Sequence, residues 1–209
     1  QKGDSFVKKL IPLAFALLSH SDPKIEIIKT LYNLKHHCVS GLDTNLIISL
    51  GLIGAGTNNS YIKKIIGDFD SNKCKNAEIM SSVNLANGLL DLGKGSLCLN
   101  SLQYNKQLIS KTAIGSLLII AFTCLDANSI LFDKLPHLIN YLAPAIQPKM
   151  LLTLDEDTLE PMSLCCKVGK AIDIFDQVDK INHISSNQFI NTPIILNCEE
   201  KIEIIDKNY

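Results

Sequence analysis

Apolar residues recur at intervals of three and four positions through most of the first 148 residues. Two of the clearest sets are Ile25, Ile28, Leu31 and Tyr32, and then Tyr61, Ile62, Ile65 and Ile66. This interval places the apolar side chains on one face of a helix. The sequence therefore predicts a series of amphipathic helices over residues 1–148.

Residues that start and stop helices interrupt this pattern. The candidate N-terminal caps are Asp22 (before Pro23), Asp43 and Asn76. The candidate stops or turns are Gly41, Gly56 and Gly95. The caps can accept hydrogen bonds from the first N–H groups of a helix, and glycine tolerates the positive φ that commonly ends one.

A short pattern rich in small residues returns along the helical part. Residues 17–22 align with residues 52–57 at an offset of 35, and residues 92–96 align next, through Gly93 on Gly54, at an offset of 39. A worn fourth copy is expected within residues 116–128. Periods of this size indicate helical hairpins that bury their faces only by stacking on one another. An ordinary helical bundle with chance glycines is the alternative.

Small residues inside the predicted helices suggest close helix packing. They are Gly51, Gly54, Ala86 and Gly88. Each helical glycine costs about 1 kcal/mol relative to alanine, so a compensating role in packing is expected.

The period changes after Pro144 and Pro148. Short segments rich in β-branched residues follow at 152–154, 172–174, 194–196 and 202–204, with predicted turns at 155–157, Gly169 and Asn187. Such segments are typical of a small antiparallel sandwich or open barrel. The predicted fold class is therefore mainly α, with helical-hairpin repeats over residues 1–148 and a β-rich module over residues 149–209.

Composition narrows the possible functions. With 20% charged residues and a net charge of -1, the chain has no overall bias toward nucleic acid or an anionic membrane surface. The apolar stretch at 117–122 is far shorter than the roughly 20 residues that span a bilayer. The seven cysteines lack the close pairing typical of zinc sites, and the chain starts at Gln1 without a leader. We therefore expect reduced thiols, a location in cytoplasm and nucleus, and an excised piece of a longer protein.

The strongest candidate for chemistry is a partial phosphate-binding loop at residues 88–95. Gly88, Gly93 and Lys94 fit its glycine and lysine positions. Gly95, however, occupies the place of the hydroxyl that would hold magnesium, and residues 83–92 are predicted to be helical where the motif requires a strand. A repeat turn is the preferred interpretation, and a nucleotide-binding enzyme is the alternative.

Other candidate sites are weaker. Residues 51–56 have glycines in the wrong order for a dinucleotide fingerprint. His36 and His37 are adjacent and are predicted to point to different helix faces, so they cannot chelate one metal together. The neighbouring Cys38 does not complete a metal-binding set with them.

The β-rich part holds further candidates that also favour a structural role. Cys165 and Cys166 are neighbours in a predicted strand and should face opposite sides, and His183 is isolated. The acidic residues 155–157 lack the spaced ligands of a calcium loop. The sequence therefore predicts no catalytic, cofactor-binding or metal-binding residue.

The repeat copies resemble a known family. Residues 51–59 and 86–95 look like the proteasome/cyclosome repeats of the large non-ATPase subunits of the proteasome regulatory particle. Residues 145–152, 167–173 and 192–196 resemble the C-terminal part of the subunit that docks ubiquitin receptors, rather than its larger paralogue. Residues 186–190 and 175–178 depart from the family pattern, which affects the expected shapes of local turns.

This resemblance implies a non-catalytic scaffold in the base of the regulatory particle. The expected architecture is the closing end of a helical toroid beside the ATPase ring, followed by a truncated β module. The implied partners are proteasomal ATPases, other regulatory-particle subunits, ubiquitin and ubiquitin-like domains. Ubiquitin-receptor docking is expected upstream of residue 1, so no ubiquitin-contacting residue is assigned here. A generic helical adaptor outside the proteasome is the remaining alternative.

Overall fold

The structure is a computed structural model that describes residues 5–34, 42–73, 76–103, 108–172, 183–184, 188–196 and 200–205. The chain divides into two compact units, Gln1–Gln147 and Pro148–Tyr209.

The described part of the first unit is mainly helical. Its α-helices are α1 (Ser5–Leu18), α2 (Ile25–Leu34), α3 (Leu42–Ile53), α4 (Ser60–Lys73), α5 (Ala77–Leu90) and α6 (Lys111–Cys124). A short 3-10 turn (Leu92–Gly95) follows α5, and a π-helix (Ala127–Lys134) and a 3-10 helix (Pro136–Ala145) follow α6. These elements confirm the predicted helical class.

Helix α3 lies at the centre of this unit. It packs against α1 on one side and α5 on the other, while α6 packs against the 3-10 helix Pro136–Ala145. All residues of α3 except Asp43 are buried, including the polar residues Thr44, Asn45 and Ser49. The Asn45 side-chain amide donates to the Lys9 carbonyl at 3.2 Å. The prediction of an amphipathic helix is therefore wrong for α3, because neighbours cover it on all sides.

The predicted helix caps have mixed outcomes. Asn76 caps α5, and its side chain accepts from the Glu78 N–H at 3.2 Å, as predicted. Asp43 instead lies inside the first turn of α3. Helix α2 begins three residues after Asp22, whose carboxylate pairs with Lys24 at 2.8 Å. Both acidic residues were therefore wrongly assigned as caps.

Positive backbone φ marks two of the predicted glycine turns. Gly56 has φ 67° and Gly95 has φ 88°, which confirms both as turn residues. Gly41 lies outside the described residues.

A short strand pairing in the first unit escaped the sequence analysis. Strand β1 (Leu97–Leu99) pairs with β2 (Ile146–Pro148), and the adjacent Asn100 N–H donates to the Ala145 carbonyl at 2.8 Å. A three-residue segment shows too little periodicity to predict a strand. Its partner strand also lies far along the chain, so no local pattern indicates the pairing.

The described part of the second unit consists of short strands. They are β3 (Met150–Leu151), β4 (Cys165–Ile172), β5 (His183–Ile184), β6 (Gln188–Asn191), β7 (Ile194–Ile195) and β8 (Glu200–Ile204). Strand β4 pairs antiparallel with β5, β6 and β8, and β3 pairs antiparallel with β7. These pairings confirm the predicted β-rich module.

Turns in this unit agree with the sequence in part. Residues 155–157 lie in a hairpin closed by the Asp155 N–H, which donates to the Glu160 carbonyl at 3.0 Å, as predicted. Gly169 was wrongly assigned to a turn, because it lies within β4 opposite Lys201. Asn187 lies outside the described residues.

Candidate protein-interaction surface

The turns between helices bind the stack together. Ser21, after α1, has φ 54°, and its N–H donates to the Leu52 carbonyl at 3.1 Å. Gly56, after α3, has φ 67°, and its N–H donates to the Leu89 carbonyl at 2.9 Å. Each turn thus bonds to the end of the next stacked helix, so the hairpins are structural repeats.

This hydrogen-bond pattern corrects the predicted alignment of the third copy. Leu52 and Leu89 are equivalent acceptors, which gives an offset of 37 residues between the second and third copies. Gly93, with φ 56°, stands at the same offset from Gly56 and shares its positive φ. Gly93 therefore matches Gly56, rather than Gly54 as the letter pattern suggested.

Close backbone approach makes glycine necessary at one turn, Gly56, and at one position inside a helix, Gly51. A Cβ on Gly56 would lie 1.9 Å from the Leu97 carbonyl oxygen. A Cβ on Gly51 would lie 2.8 Å from Cα of Ala86, where α3 meets α5. Gly51 thus confirms the predicted close packing. For Gly88 the prediction is wrong, because an added Cβ there meets nothing within 4 Å.

The first turn is also tied to the segment that begins with β1. The Ser21 hydroxyl accepts from the Leu99 N–H at 2.8 Å, and the His20 Nε2 accepts from the Ser101 N–H at 3.2 Å. The His20 Nδ1 lies 3.0 Å from the Leu17 carbonyl oxygen. Making both histidine bonds requires the tautomer that carries its proton on Nδ1. The sequence around His20 does not reveal this role, since one of its partners lies in a distant segment.

The partial phosphate-binding loop is a repeat turn that follows helix α5. The Lys94 N–H donates to the Asp91 carbonyl at 2.8 Å, and the Ser96 N–H donates to the Gly93 carbonyl at 3.0 Å. The Asp91 carboxylate accepts from the Lys63 ammonium at 2.8 Å. A phosphate cradle needs inward-pointing backbone N–H groups that are available to the ligand. Here two of them bond within the turn and a carboxylate lies beside them.

The remaining candidates stay dispersed. Cys166 is fully buried in β4 while its neighbour Cys165 is partly exposed, which confirms that they face opposite sides. His183 lies in β5. His36, His37 and Cys38 lie outside the described residues. Within the described ranges, no group of three or more His, Cys, Asp or Glu side chains lies close enough to hold a metal ion.

One thiol has a strongly shifted acidity. Burial raises the pKa of Cys124 to about 12, and a hydrogen bond with the Thr123 side chain opposes the rise only in part. Because the thiolate is the reactive form, Cys124 is unsuited to act as a nucleophile. It serves as a small apolar residue at the end of α6, buried in the core of the first unit.

The outer face of α6 exposes three large apolar side chains. Leu118, Ile119 and Phe122 are 54%, 41% and 67% exposed. Apolar side chains at such spacing on an exposed helix face are typical of a protein-binding surface. Of the helices that the structure describes, none is both long enough and apolar enough to cross a bilayer.

Stacked helical hairpins joined by hydrogen-bonded turns define the chain as a helical-repeat protein. No protein-family model matches it. The chain is 36% identical over 209 residues to 26S proteasome non-ATPase regulatory subunit 2 homolog B of Arabidopsis thaliana, and 36% identical over 209 residues to 26S proteasome non-ATPase regulatory subunit 2 of Dictyostelium discoideum. Each match covers 100% of the chain. It is also 33% identical over 207 residues, 99% of the chain, to 26S proteasome regulatory subunit rpn1 of Schizosaccharomyces pombe.

The chain is therefore similar along its whole length to proteins named as proteasome non-ATPase regulatory subunits. It spans about 23% of the length of these curated relatives.

Proposed function

We propose that the chain is a non-catalytic scaffold segment of the proteasome regulatory particle. The observation that carries this proposal is similarity along the whole chain to relatives named as non-ATPase regulatory subunits. The fold is suited to the role, since stacked repeats present an extended binding surface. The described candidate groups also remain apart, so none of them pairs a nucleophile with a base.

The proposed partners are the proteasomal ATPases and other regulatory-particle subunits. In this scheme the parent protein supports ATP-dependent degradation of ubiquitinated proteins by docking ubiquitin receptors beside the ATPase ring. Ubiquitin and ubiquitin-like domains bind through repeats upstream of this chain. The proposed location is the cytoplasm and nucleus, which imaging of the tagged protein checks directly.

The first experiment is capture of the tagged protein from its own cells. Proteasomal ATPases should co-purify in near-stoichiometric amounts and remain bound when salt is raised moderately. Capture of other proteins without ATPases would instead favour a generic helical adaptor.

Matched glycine variants connect the capture result to the repeat stack. Gly51→Leu forces α3 and α5 apart and should reduce ATPase recovery, while Gly88→Ala enters open space and should preserve it. Melting curves of both variants distinguish loss of the stack from loss of the whole fold. Equal ATPase recovery by the two variants would contradict a role for the stack.

The nucleotide-binding alternative has its own test. A ligand that binds only the folded state raises the melting temperature. The scaffold proposal includes no nucleotide binding, so magnesium and ATP should leave the melting temperature unchanged. A clear rise that disappears in Lys94→Ala would contradict the scaffold proposal and restore the alternative.

A further inference from the structure

A short segment crosses the three turns of the helical stack. We call it the strap; it consists of residues 97–101 and begins with β1. At the third turn, the Leu97 side chain lies so close to Gly93 that an added Cβ there would be 2.5 Å from Leu97 Cγ. At the second turn, the Leu97 carbonyl oxygen lies against Gly56, and at the first turn the later residues of the strap bond to side chains. The strap therefore runs back along the stack, from its third turn to its first.

Successive N–H groups of the strap bond alternately to two neighbours, as those of a β-strand do. The N–H groups of Leu99 and Ser101 donate to the first turn. The N–H of Asn100, between them, donates instead to the end of the last 3-10 helix, at 2.8 Å. In a β-ladder backbone carbonyl groups accept such bonds, but at the first turn the Ser21 hydroxyl, at 2.8 Å, and His20 Nε2, at 3.2 Å, take their place. The first turn thus holds the strap through two side-chain acceptors.

The two acceptors differ in their response to acid. A serine hydroxyl keeps its accepting lone pairs between pH 5 and 8, whereas an imidazole takes up a proton in that range. Both ring nitrogens of His20 are already in use, since Nδ1 donates to the Leu17 carbonyl oxygen at 3.0 Å and Nε2 accepts from the Ser101 N–H. The added proton must therefore go to Nε2, where it replaces the accepting lone pair and faces the Ser101 N–H.

The ends of two helices determine which of the two histidine bonds breaks. Helix α1 ends at Leu18, beside His20, and its negative end stabilises an imidazolium and the Nδ1 bond to Leu17. Helix α6 begins beside Ser101, because the Ser101 carbonyl accepts from the N–H of Ser110, the N-cap of α6, at 2.9 Å. The positive end of α6 repels an imidazolium at that place. A charged His20 therefore stays on α1 and leaves Ser101.

Other charged groups around the first turn do not reverse this balance. Within the turn, Asp22 and Lys24 pair with each other at 2.8 Å. The remaining titratable residues of the elements around the turn are Lys8 and Lys9 in α1, Asp43 in α3, Cys98 in the strap, Lys111 and Cys124 in α6, and His137 and Tyr141 in the last 3-10 helix. Those of α1 and α3 lie nine or more residues, about 13 Å, from the helix ends near His20. Lys111, at the start of α6, adds to the repulsion of a charged His20.

We propose that the strap is held by an acid-sensitive clip, in which protonation of His20 releases Ser101 from the first turn while Leu99 stays bonded to Ser21. Water reaches the ring, since His20 is partly exposed. The proton enters from water onto Nε2, and the Ser101 N–H exchanges its nitrogen acceptor for water. The released end of the strap is the one that leads to α6, so acid uncouples α6 from the first hairpin. The clip goes beyond the scaffold proposal, and its test uses no partner protein.

Nitrogen NMR of the His20 ring in the full chain tests the starting state of the clip. At pH 7.5 the spectrum should show the proton on Nδ1 and a bare Nε2, because the two bonds of the ring require that tautomer. As the pH falls, Nε2 should become protonated over the same range in which the Ser101 amide loses its protection from exchange. A proton on Nε2 at pH 7.5 would contradict the proposal.

Amide hydrogen exchange measures the release of Ser101. The protection factor compares the exchange rate of an amide in the unfolded chain with its rate in the folded chain at the same pH. An imidazole with the ordinary pKa of about 6.5 is neutral about tenfold less often at pH 5.5 than at pH 7.5. Since only the neutral ring accepts from Ser101, the protection factor of its amide should fall roughly tenfold between these pH values. The Leu99 amide is the internal control, because its acceptor is a hydroxyl, and its protection should stay nearly constant.

Two histidine variants assign the effect to one ring. His20→Gln carries a side chain that does not titrate between pH 5.5 and 7.5, so the protection of Ser101 should no longer depend on pH. His137→Gln is the matched control, since His137 is exposed on the last 3-10 helix, and it should keep the tenfold fall. Far-UV circular dichroism checks that both variants retain the helical fold.

Three further results would overturn the proposal. The first is a Ser101 protection factor that stays constant between pH 7.5 and 5.5. The second is an equal loss of protection at Leu99 and Ser101, which indicates general acid unfolding of the segment. The third is a pH response at Ser101 that persists in His20→Gln. The first two are measured on the wild-type chain, so the proposal can be refuted whether or not a variant folds.

Discussion

Substituting alanine for Gly51 tests the close contact on which the helical stack depends. The added Cβ would lie 2.8 Å from Cα and 2.9 Å from Cβ of Ala86. Carbon atoms pack best at about 3.5–4.0 Å, so α3 and α5 must separate by about 1 Å. A backbone atom cannot rotate away as a flexible side chain can, and overpacking of this kind costs about 1–3 kcal/mol.

Gly88→Ala isolates that cost. Both substitutions gain about 1 kcal/mol of helix propensity, but the Cβ at position 88 meets nothing within 4 Å. We therefore expect Gly88→Ala to stabilise the protein by about 1 kcal/mol. The stability of Gly51→Ala should fall below that of Gly88→Ala by the overpacking cost, about 1–3 kcal/mol.

Urea unfolding followed by far-UV circular dichroism measures this difference, since the helical signal comes mainly from the first unit. With a urea dependence of about 2 kcal/mol per molar, the two midpoints should differ by about 0.5–1.5 M. Equal midpoints would refute the close approach of α3 and α5. A higher midpoint for Gly51→Ala would refute it as well.

Four further substitutions, one of them a control, have definite expected outcomes. The buried Ser49 hydroxyl has no hydrogen-bond partner among the described residues, so Ser49→Ala should preserve or raise stability in urea. Ser82→Ala is the control, because it removes a hydroxyl that donates to the Glu78 carbonyl, and it should not raise stability. Ser21→Ala removes the acceptor of the buried Leu99 N–H and should cost about 1–3 kcal/mol in the same assay; no loss would contradict that bond. Burial raises the pKa of Cys124 in the folded protein to about 12. The contribution of this shift to the free energy of unfolding is complete below the ordinary thiol pKa of about 8.5, and it is lost as the pH rises toward 12. Cys124→Ala should flatten this decline in unfolding experiments across that range, and an unchanged slope would refute the shift.

Local sequence was sufficient where neighbours along the chain supply the interaction. Asn76 caps α5 through the N–H of Glu78, two residues away, and the turn at residues 155–157 closes within its own hairpin. Gly169 shows where local sequence is not sufficient. Glycine suggested a turn, but pairing with β8, about thirty residues later, holds it in a strand.

In the candidate site, too, the sequence predicted local features and did not predict contacts between distant segments. The sequence correctly identified residues 88–95 as a repeat turn, because the helical period upstream excluded a strand. It missed His20, whose acceptor nitrogen faces Ser101, and it gave no separate role to α6, since exposure of Leu118 and Phe122 depends on which helices cover them. Apolar periodicity shows that a face is apolar, but not whether a neighbour buries it.

The sequence by itself determined the class of fold, the repeated helical turns and the resemblance to proteasome regulatory subunits, because these depend on local periodicity and on residues matched in order. The tertiary structure decided the register of the repeats, through N–H groups of Ser21 and Gly56 that bond to helices one repeat away. It also decided which glycines are required, since Gly51 meets Ala86 and Gly88 meets nothing. Both the register of the repeats and the need for glycine depend on distances between segments far apart in the chain. Composition and residue spacing do not predict those distances.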